Sequence, residues 1–298
     1  IPANMKCTID FKKARELSEA GYFYVLHRFY DYDKILDWMI ENEDMRTISI
    51  SVGVNKKDRE FIDKIVEQNI RVDFITIDVA HGHHILVKEM ITYINNKLSV
   101  NVIAGNVGTY EAAKDLYDWG ADAVKVGLSM GKSCTTYNCT GIGTPMFSAV
   151  SSIARKKFSK YVVHKQGGLA GVYKDITIPV IADGQIREVG DVCKALVAGA
   201  DMVMIGSEFA KCEDSPADTI GGPAVGGNKK VFFGSASSTN KGHSGYVEGQ
   251  TVYMDMRNET YEQYFERINQ GVQSCMSYAG INDITSLPGM EYLVHTNN

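Results

Sequence analysis

The stretch DFITIDVAHGHHILVKEMITYINNKLSVNVIAGNV, residues 73–107, decides the fold class. A short run rich in isoleucine ends in polar residues, a segment of helical length follows, and a second apolar run ends in Ala-Gly-Asn. Short β-branched runs that are bounded by glycine and alternate with helices of ten or more residues are typical of parallel βα units. We therefore predict a strand, a helix and a second, parallel strand here.

The same alternation repeats on both sides of this unit. The predicted strands are IPANM, YFYVLHRF, RTISISVGV, DFITIDVA, VNVIAGNV, DAVKVGL, ITIPVIADG and DMVMIG, which makes eight if IPANM is the end of a truncated strand. No GxGxxG follows any of them, which favours a closed (β/α)₈ TIM barrel over a doubly wound open sheet. We predict an α/β protein with a single barrel domain over residues 1–298 and a flap-like segment at 208–250.

The barrel prediction selects candidate site residues. In such a barrel the chemistry lies on the loops that follow the strands. The polar residues and glycines at those places are Asn4, His27, Arg28, Gly53, Asp78, His81, His83, Asn106, the loop around Cys134, Asp183, Gly184, Gly206 and Ser207.

Composition excludes several classes of protein. Lys plus Arg minus Asp plus Glu gives 31 − 36 = −5, and there is no basic tract, so nucleic acid is not an expected partner. The 6 cysteines are scattered with no CxxC pair, which favours reduced thiols and a cytoplasmic location. No apolar run approaches the roughly 18 residues of a membrane span, so no membrane association is expected.

The stretch GLSMGKSCTTYNCTG, residues 127–141, places Cys134 in a polar, glycine-rich loop. An unpaired structural cysteine usually behaves as a small core residue, which does not suit these neighbours. A nearby cation such as Lys132 and free backbone N–H groups favour the reactive thiolate. We predict that Cys134 is a nucleophile.

The last two strands add a second kind of chemistry. IADGQ and MIGSE place glycines where backbone N–H groups can approach an anion, at the corner of the barrel that usually binds phosphate. Asp183 would repel a phosphate but suits the hydroxyl groups of an adjacent sugar. A nucleotide monophosphate meets both demands.

Several of these residues have plainer explanations. Asp78 could simply cap the next helix, and Asn106 could be a turn residue. His27 and Arg28 could mark a strand end that meets solvent. His81, His83 and His84 suggest a metal, but no carboxylate or cysteine follows at ligand spacing, so we do not predict a zinc site.

The motifs as a set resemble a known family. IPANM, YFYVLHRF, ISVGV, ITIDVAHGH, VIAGNVGT, VGLSMGKSCTT, TGIGTP, IPVIADG, MVMIGS, FFGSAS and VEGQ occur in the order found in the inosine monophosphate dehydrogenase and GMP reductase family, and resemble its bacterial-type reductase branch. The resemblance covers nearly the whole chain. It implies NADPH-dependent conversion of GMP to IMP and ammonia by a homotetramer of barrels.

The resemblance also implies a role for individual residues. Cys134 would attack C2 of the guanine ring, and Thr136 and Glu248 would transfer the protons that let ammonia leave. Substrate-binding positions would be Asn4, Asp183, Gly184, Gly206, Ser207, Gly234, Ser235 and Gly249. Cofactor-binding positions would be Arg28, Asp78, Val79, Ala80, His81 and Asn106. The backbone carbonyls of Ser129 and Gly131 would bind a monovalent cation, K⁺.

Two features favour the reductase over the dehydrogenase. Residues 29–46 leave no room for the inserted regulatory modules that the dehydrogenase commonly carries, and no arginine occurs between residues 188 and 256 to activate water. Three positions depart from the family pattern, since Ser129 and Gln185 replace glycines and Gly245 replaces a basic residue. The stretch FSKYVVHKQGGLAGVYKD, residues 158–175, resembles an insertion whose apolar residues pack against a neighbour.

Other readings of the site stay open. One is a dehydrogenase-like oxidoreductase, and another is an inactive protein that binds purine nucleotides. A third is a barrel enzyme that forms a Schiff base, for which Lys125 would be the reactive lysine.

Overall fold

The computed structural model describes residues 1–156, 158–163, 171–222, 227–234, 236–238 and 248–292. A parallel sheet forms its centre. The strands are β1 (Ser49–Val52), β2 (Phe74–Asp78), β3 (Asn101–Val107), β4 (Ala123–Val126), β7 (Val180–Asp183) and β8 (Met202–Met204), hydrogen-bonded in that order. A parallel bridge from Leu26 to Ile50 extends one edge of the sheet, and a bridge from Pro2 to Ile205 extends the other.

The sheet curls around an apolar interior. Side chains from both extended edges and from the middle of the sheet pack in one cluster, which contains Ala3, Val25, Ile103, Ile181 and Met204. The α/β class and the curled parallel sheet are therefore confirmed, and all eight predicted strand segments occupy successive places in the sheet. YFYVLHRF and IPANM each join the sheet by a single bridge, and among the described residues no ladder joins one segment to the other.

Helices cover the outside of the sheet. They are α1 (Phe11–Glu19), α2 (Tyr32–Glu41), α3 (Lys56–Glu67), α4 (Ile85–Lys97), α5 (Tyr110–Asp118), α7 (Met146–Ala154) and α8 (Val189–Ala198), with the short α6 (Thr136–Thr140) and α9 (Ser207–Ala210) after β4 and β8. In α3 the buried residues Phe61, Ile62 and Ile65 recur at helical spacing and face the core. The Asn55 and Asp58 side chains close its N-terminus as a capping box.

Further elements lie outside the central sheet. The predicted insertion forms an antiparallel hairpin of β5 (Phe158–Val163) and β6 (Gly171–Ile176). A second antiparallel sheet contains β9 (Thr219–Ile220), β10 (Lys229–Phe233) and β11 (Thr251–Asp255), and it draws on the predicted flap-like segment. The chain then forms α10 (Tyr261–Ala279) and a 3₁₀ helix (Ile284–Gly289). No helix in the described part of the chain combines the length and apolar character needed to cross a membrane.

Candidate active site

One cavity of about 400 Å³ opens at the carboxyl ends of the parallel strands. It brings together most of the residues that the sequence predicted as catalytic, substrate-binding, cofactor-binding and cation-binding. Those that line it are Asn4, Arg28, Asp78, Val79, Ala80, Asn106, Ser129, Gly131, Cys134, Thr136, Asp183, Gly184, Gly206, Ser207, Gly234, Glu248 and Gly249. His81 is exposed and is not part of the lining, while Ser235 and Gly245 lie outside the described residues.

Cys134 lies partly buried in the cavity wall, immediately before α6. Its Sγ is 3.2 Å from Thr136 Oγ1, and its backbone N–H donates to the carbonyl of Gly131 at 3.1 Å. The thiol therefore has a hydroxyl partner two residues away, and the turn that begins at Gly131 fixes its direction. Among the residues that line the cavity it is the only cysteine.

A backbone pairing brings Glu248 to this loop. Cys134 and Gly249 form an antiparallel bridge. The Thr135 N–H donates to the Glu248 carbonyl at 3.0 Å, and the Gln250 N–H donates to the Ser133 carbonyl at 2.9 Å. Residues 248–250 therefore run alongside residues 133–135, and Glu248 lines the cavity that holds Cys134.

This pairing requires a glycine beside it. A Cβ on Gly249 would lie 2.9 Å from the backbone nitrogen of Ser237, closer than packed atoms allow. A Cβ on Gly234 would lie 2.9 Å from Ser133 Oγ, whose side chain is buried. The loop that carries Cys134 is thus held against two neighbouring segments by close backbone approach.

Lys125 on β4 forms a buried ionic network at the floor of the cavity. Its ammonium contacts Asp183 Oδ2 at 2.8 Å, Asp78 Oδ1 at 3.2 Å and Asn106 Oδ1. Burial alone would disfavour the charged amine, but the carboxylates of Asp183 and Asp78 outweigh it and raise the pKa of Lys125 above its ordinary value. A lysine held protonated is a poor amine nucleophile, so the structure speaks against a Schiff base at Lys125.

Asn106 orients Asp183 within the same network. Its Nδ2 donates to Asp183 Oδ2 at 2.9 Å and to the Gly127 carbonyl at 2.8 Å, so its amide group is engaged within the protein. Asn106 is therefore more than the simple turn residue considered above. Among the described residues no hydrogen bond reaches Asp183 Oδ1, which leaves that oxygen to accept from a ligand in the cavity.

Unpaired donors collect where the first two strand segments end. Asn4 Nδ2, His27 Nε2 and Arg28 Nε are buried and have no hydrogen-bond partner among the described residues. His27 is buried and stacked on Tyr30, so it does not meet solvent as a strand end would. Burial, together with the charge of Lys6, lowers the pKa of His27 to about 4. Two of these donors, on Asn4 and Arg28, belong to residues of the cavity lining.

The histidines after β2 have separate structural tasks. His83 Nε2 lies 2.8 Å from Asp115 Oδ2, and His84 accepts a hydrogen bond from the backbone of Leu86 as the N-cap of α4. Within the described residues no three histidine, cysteine or acidic side chains form a group that could hold a metal ion.

The backbone has a positive φ at two of the positions that depart from the family pattern. Ser129 has φ +65° and Gln185 has φ +60°, in the left-handed region that glycine adopts most easily. Gln185 uses its side chain there, because its Oε1 accepts from the Met146 N–H at the start of α7, at 3.2 Å.

We expect Ser129→Gly to raise the free energy of unfolding by about 0.5–1 kcal/mol, since glycine removes left-handed strain but adds freedom to the unfolded chain. Gln185→Gly relieves similar strain and loses a hydrogen bond worth about 1 kcal/mol, so it should be close to neutral. Urea unfolding measures the change in the free energy of unfolding for both variants, provided that the m-value does not change. Equal shifts for the two variants would contradict this account.

The cavity also contains residues that the sequence analysis did not predict as catalytic, substrate-binding or cofactor-binding in the reductase. Lys132, Gln185, Arg187 and Phe232 contribute to the lining, and Lys125 forms its floor. Arg187 could have been predicted from the sequence, because it is a basic residue next to the predicted phosphate loop. Lys125 was named only as the reactive lysine of a Schiff-base enzyme. The alternation of strand side chains gave no signal for its ionic network, because its partners come from three other strands.

Comparisons with known proteins agree with this geometry. The IMP dehydrogenase / GMP reductase domain matches residues 3–297. The chain is 40% identical over 300 residues to the GMP reductase of Oceanobacillus iheyensis, which covers 100% of this chain and 85% of that protein. It is 40% identical to the Bacillus licheniformis GMP reductase and 39% identical to that of Mesoplasma florum, covering 86% of each. The chain therefore belongs to the IMP dehydrogenase / GMP reductase family.

Proposed function

We propose that this protein is a GMP reductase that converts GMP to IMP and ammonia with NADPH as reductant. The observation that carries the proposal is the pairing of residues 133–135 with residues 248–250, which puts Cys134, Thr136 and Glu248 in one cavity. Relatives that share the whole length of the chain bear the name GMP reductase, which supports the same activity.

The cavity suits a purine nucleotide monophosphate. Gly184, Gly206, Ser207 and Gly234 offer backbone N–H groups and a hydroxyl at one end, where the phosphate would bind, and Ser235 is proposed to join them. The free Oδ1 of Asp183 would accept from the ribose hydroxyls. Asn4 and Gly249 would line the remainder of the substrate-binding site.

The reaction begins at the guanine C2. The Cys134 thiolate attacks C2, a carbon–sulfur bond forms, and the exocyclic amino group leaves as ammonia after protonation. Glu248 and Thr136 would supply that proton, because an amide anion is too poor a leaving group to depart unprotonated. The resulting thioimidate has the oxidation level of the guanine ring, and reduction at C2 with loss of the thiolate yields IMP.

NADPH, when bound, supplies the hydride for that reduction. The residues at the second end of the cavity fit its nicotinamide, because the unpaired Nε–H of Arg28 can donate to a carboxamide oxygen. We propose that Asp78, Val79, Ala80 and Asn106 complete this side and that His81 lies at its margin.

Further proposals concern the assembly. We propose that the curled sheet closes into an eight-stranded barrel, because Ala3 and Val25 from its two edges share one interior cluster. We also propose that the protein is a single-domain homotetramer, with residues 208–250 acting as a flap. Backbone carbonyls of Ser129 and Gly131 would bind K⁺, although the Gly131 carbonyl already accepts from Cys134 and has one lone pair left.

A direct assay tests the proposed activity. GMP should cause loss of NADPH absorbance with release of one ammonia per NADPH, while XMP and a phosphosugar should not. Formation of NADH from IMP and NAD would instead make the protein a dehydrogenase. Binding of GMP without turnover would make it an inactive nucleotide-binding protein.

A further inference from the structure

The ammonium of Lys125 uses all of its hydrogen-bonding capacity within the cavity floor. It has three N–H donors, and three side chains accept them: those of Asp183, Asp78 and Asn106. The Lys125 side chain is 3% exposed, against 15% for Asp78 and 21% for Asp183. One buried cation therefore joins a carboxylate at the end of β2 to a carboxylate at the end of β7.

The two carboxylates belong to different halves of the proposed site. Asp78 lies with Arg28 and Val79 at the proposed nicotinamide end, and Asp183 lies with Gly184 at the proposed ribose end. Lys125 and Asn106 both contact Asp183 Oδ2, which leaves Oδ1 available to a ligand. The cation thereby sets the direction of both acidic groups across the width of the cavity.

We propose that Lys125 is a positioning residue that holds the substrate-side carboxylate of Asp183 and the cofactor-side carboxylate of Asp78 in their binding orientations. The inference rests on the proposed function. It predicts that loss of this cation affects GMP and NADPH together, although Lys125 itself contacts neither reacting atom.

The charges around Asp78 indicate the accompanying pH effect. Burial alone would raise the pKa of Asp78, but the charges of Lys125 on β4 and Arg28 outweigh it and lower that pKa below its ordinary value. Asp183 lies on the other side of Lys125, Asn106 supplies a neutral amide from β3, and the Asn4 amide faces Asp78 from the first strand segment. Without Lys125 two carboxylates face each other across a buried gap, so Asp78 should be protonated at higher pH.

The test compares Lys125→Met with the wild type. We expect kcat/KM for GMP to fall about 100-fold through misplacement of the bound ligands, with KM raised for both GMP and NADPH. The acid limb of the kcat/KM profile should move up by about one pH unit or more. Lys125→Arg, which keeps the cation, should return the acid limb toward its wild-type position.

Lys13→Met is a matched control. Lys13 is also buried, with its side chain 8% exposed, and it pairs with Glu16 at 2.6 Å and Asp214 at 2.8 Å, but it does not line the cavity. Its loss should lower stability and leave both KM values and the acid limb unchanged. An effect of Lys13→Met equal to that of Lys125→Met would reduce the role of Lys125 to general stability and overturn the inference.

A second variant covers the case in which Lys125→Met does not fold. Lys125→Met/Asp78→Asn removes the uncompensated charge, and we expect it to bind GMP about tenfold more weakly than Asp78→Asn alone, because Asp183 has still lost its partner. Equal GMP dissociation constants for these two variants would overturn the inference, as would a folded Lys125→Met with wild-type KM values and acid limb. A wild type that does not oxidise NADPH with GMP would instead reject the proposed function.

Discussion

Replacement of Cys134 by alanine is expected to lower GMP-dependent oxidation of NADPH by about 10⁴- to 10⁶-fold, the scale seen when other enzymes lose a nucleophile. The reason is chemical, since without Sγ no covalent bond to C2 can form and ammonia has no route of departure. GMP should still bind, because the glycines and Asp183 that would hold its phosphate and ribose are untouched. Stopped-flow absorbance of NADPH and calorimetric titration with GMP measure the two properties separately.

Cys139→Ala is the control for this variant. Cys139 is exposed on α6, five residues further along the chain, and it does not line the cavity. The Cys139→Ala variant should retain wild-type turnover. Mass spectrometry of wild-type enzyme quenched during turnover should find a purine adduct on the peptide that contains Cys134. Activity of Cys134→Ala within tenfold of the wild type would reject covalent catalysis.

Replacement of Glu248 by glutamine should lower kcat by about 10²- to 10⁴-fold, the usual contribution of a positioned acid or base. The substitution keeps the size of the side chain and the backbone pairing with residues 133–135, so the dissociation constant for GMP should change little. Ammonia release and NADPH oxidation should fall in parallel, because reduction must wait for the amino group to leave.

Thr136→Val and the double variant extend this prediction. If Thr136 and Glu248 act together on one proton transfer, the loss in the double variant should be much smaller than the product of the two single losses. Glu262→Gln, at an exposed glutamate of α10, serves as the control and should leave kcat unchanged. Independent, multiplicative losses would mean that the two residues act on different steps.

Much of the fold was predictable because it depends on local patterns. The alternation of β-branched runs with helical segments predicted each strand of the curled sheet in its correct order. The positions after those strands, such as Asp78, Asn106 and Asp183, were predicted as site residues for the same reason, since parallel strands bring their carboxyl ends to one edge. The composition of the loop at residues 127–141 was enough to single out Cys134.

The hairpin and the left-handed residues were less accessible. Residues 158–175 were predicted to be an insertion, which stays a prediction. The antiparallel pairing of β5 with β6 depends on register, which the sequence pattern does not state. The left-handed backbone at Ser129 and Gln185 contradicts the preference of those residue types, so only the surrounding packing could select it.

The sequence by itself determined the order of the βα units, the apolar faces and the residue types at the strand ends, because these follow from spacing along the chain. Only the tertiary structure decided which distant groups meet. The pairing of residues 248–250 with residues 133–135, and the contact of one ammonium with Asp78, Asn106 and Asp183, join segments that are far apart in the chain. Such contacts are set by the curvature of the sheet and by the need to pair buried charges, and both arise only when all the strands are in place.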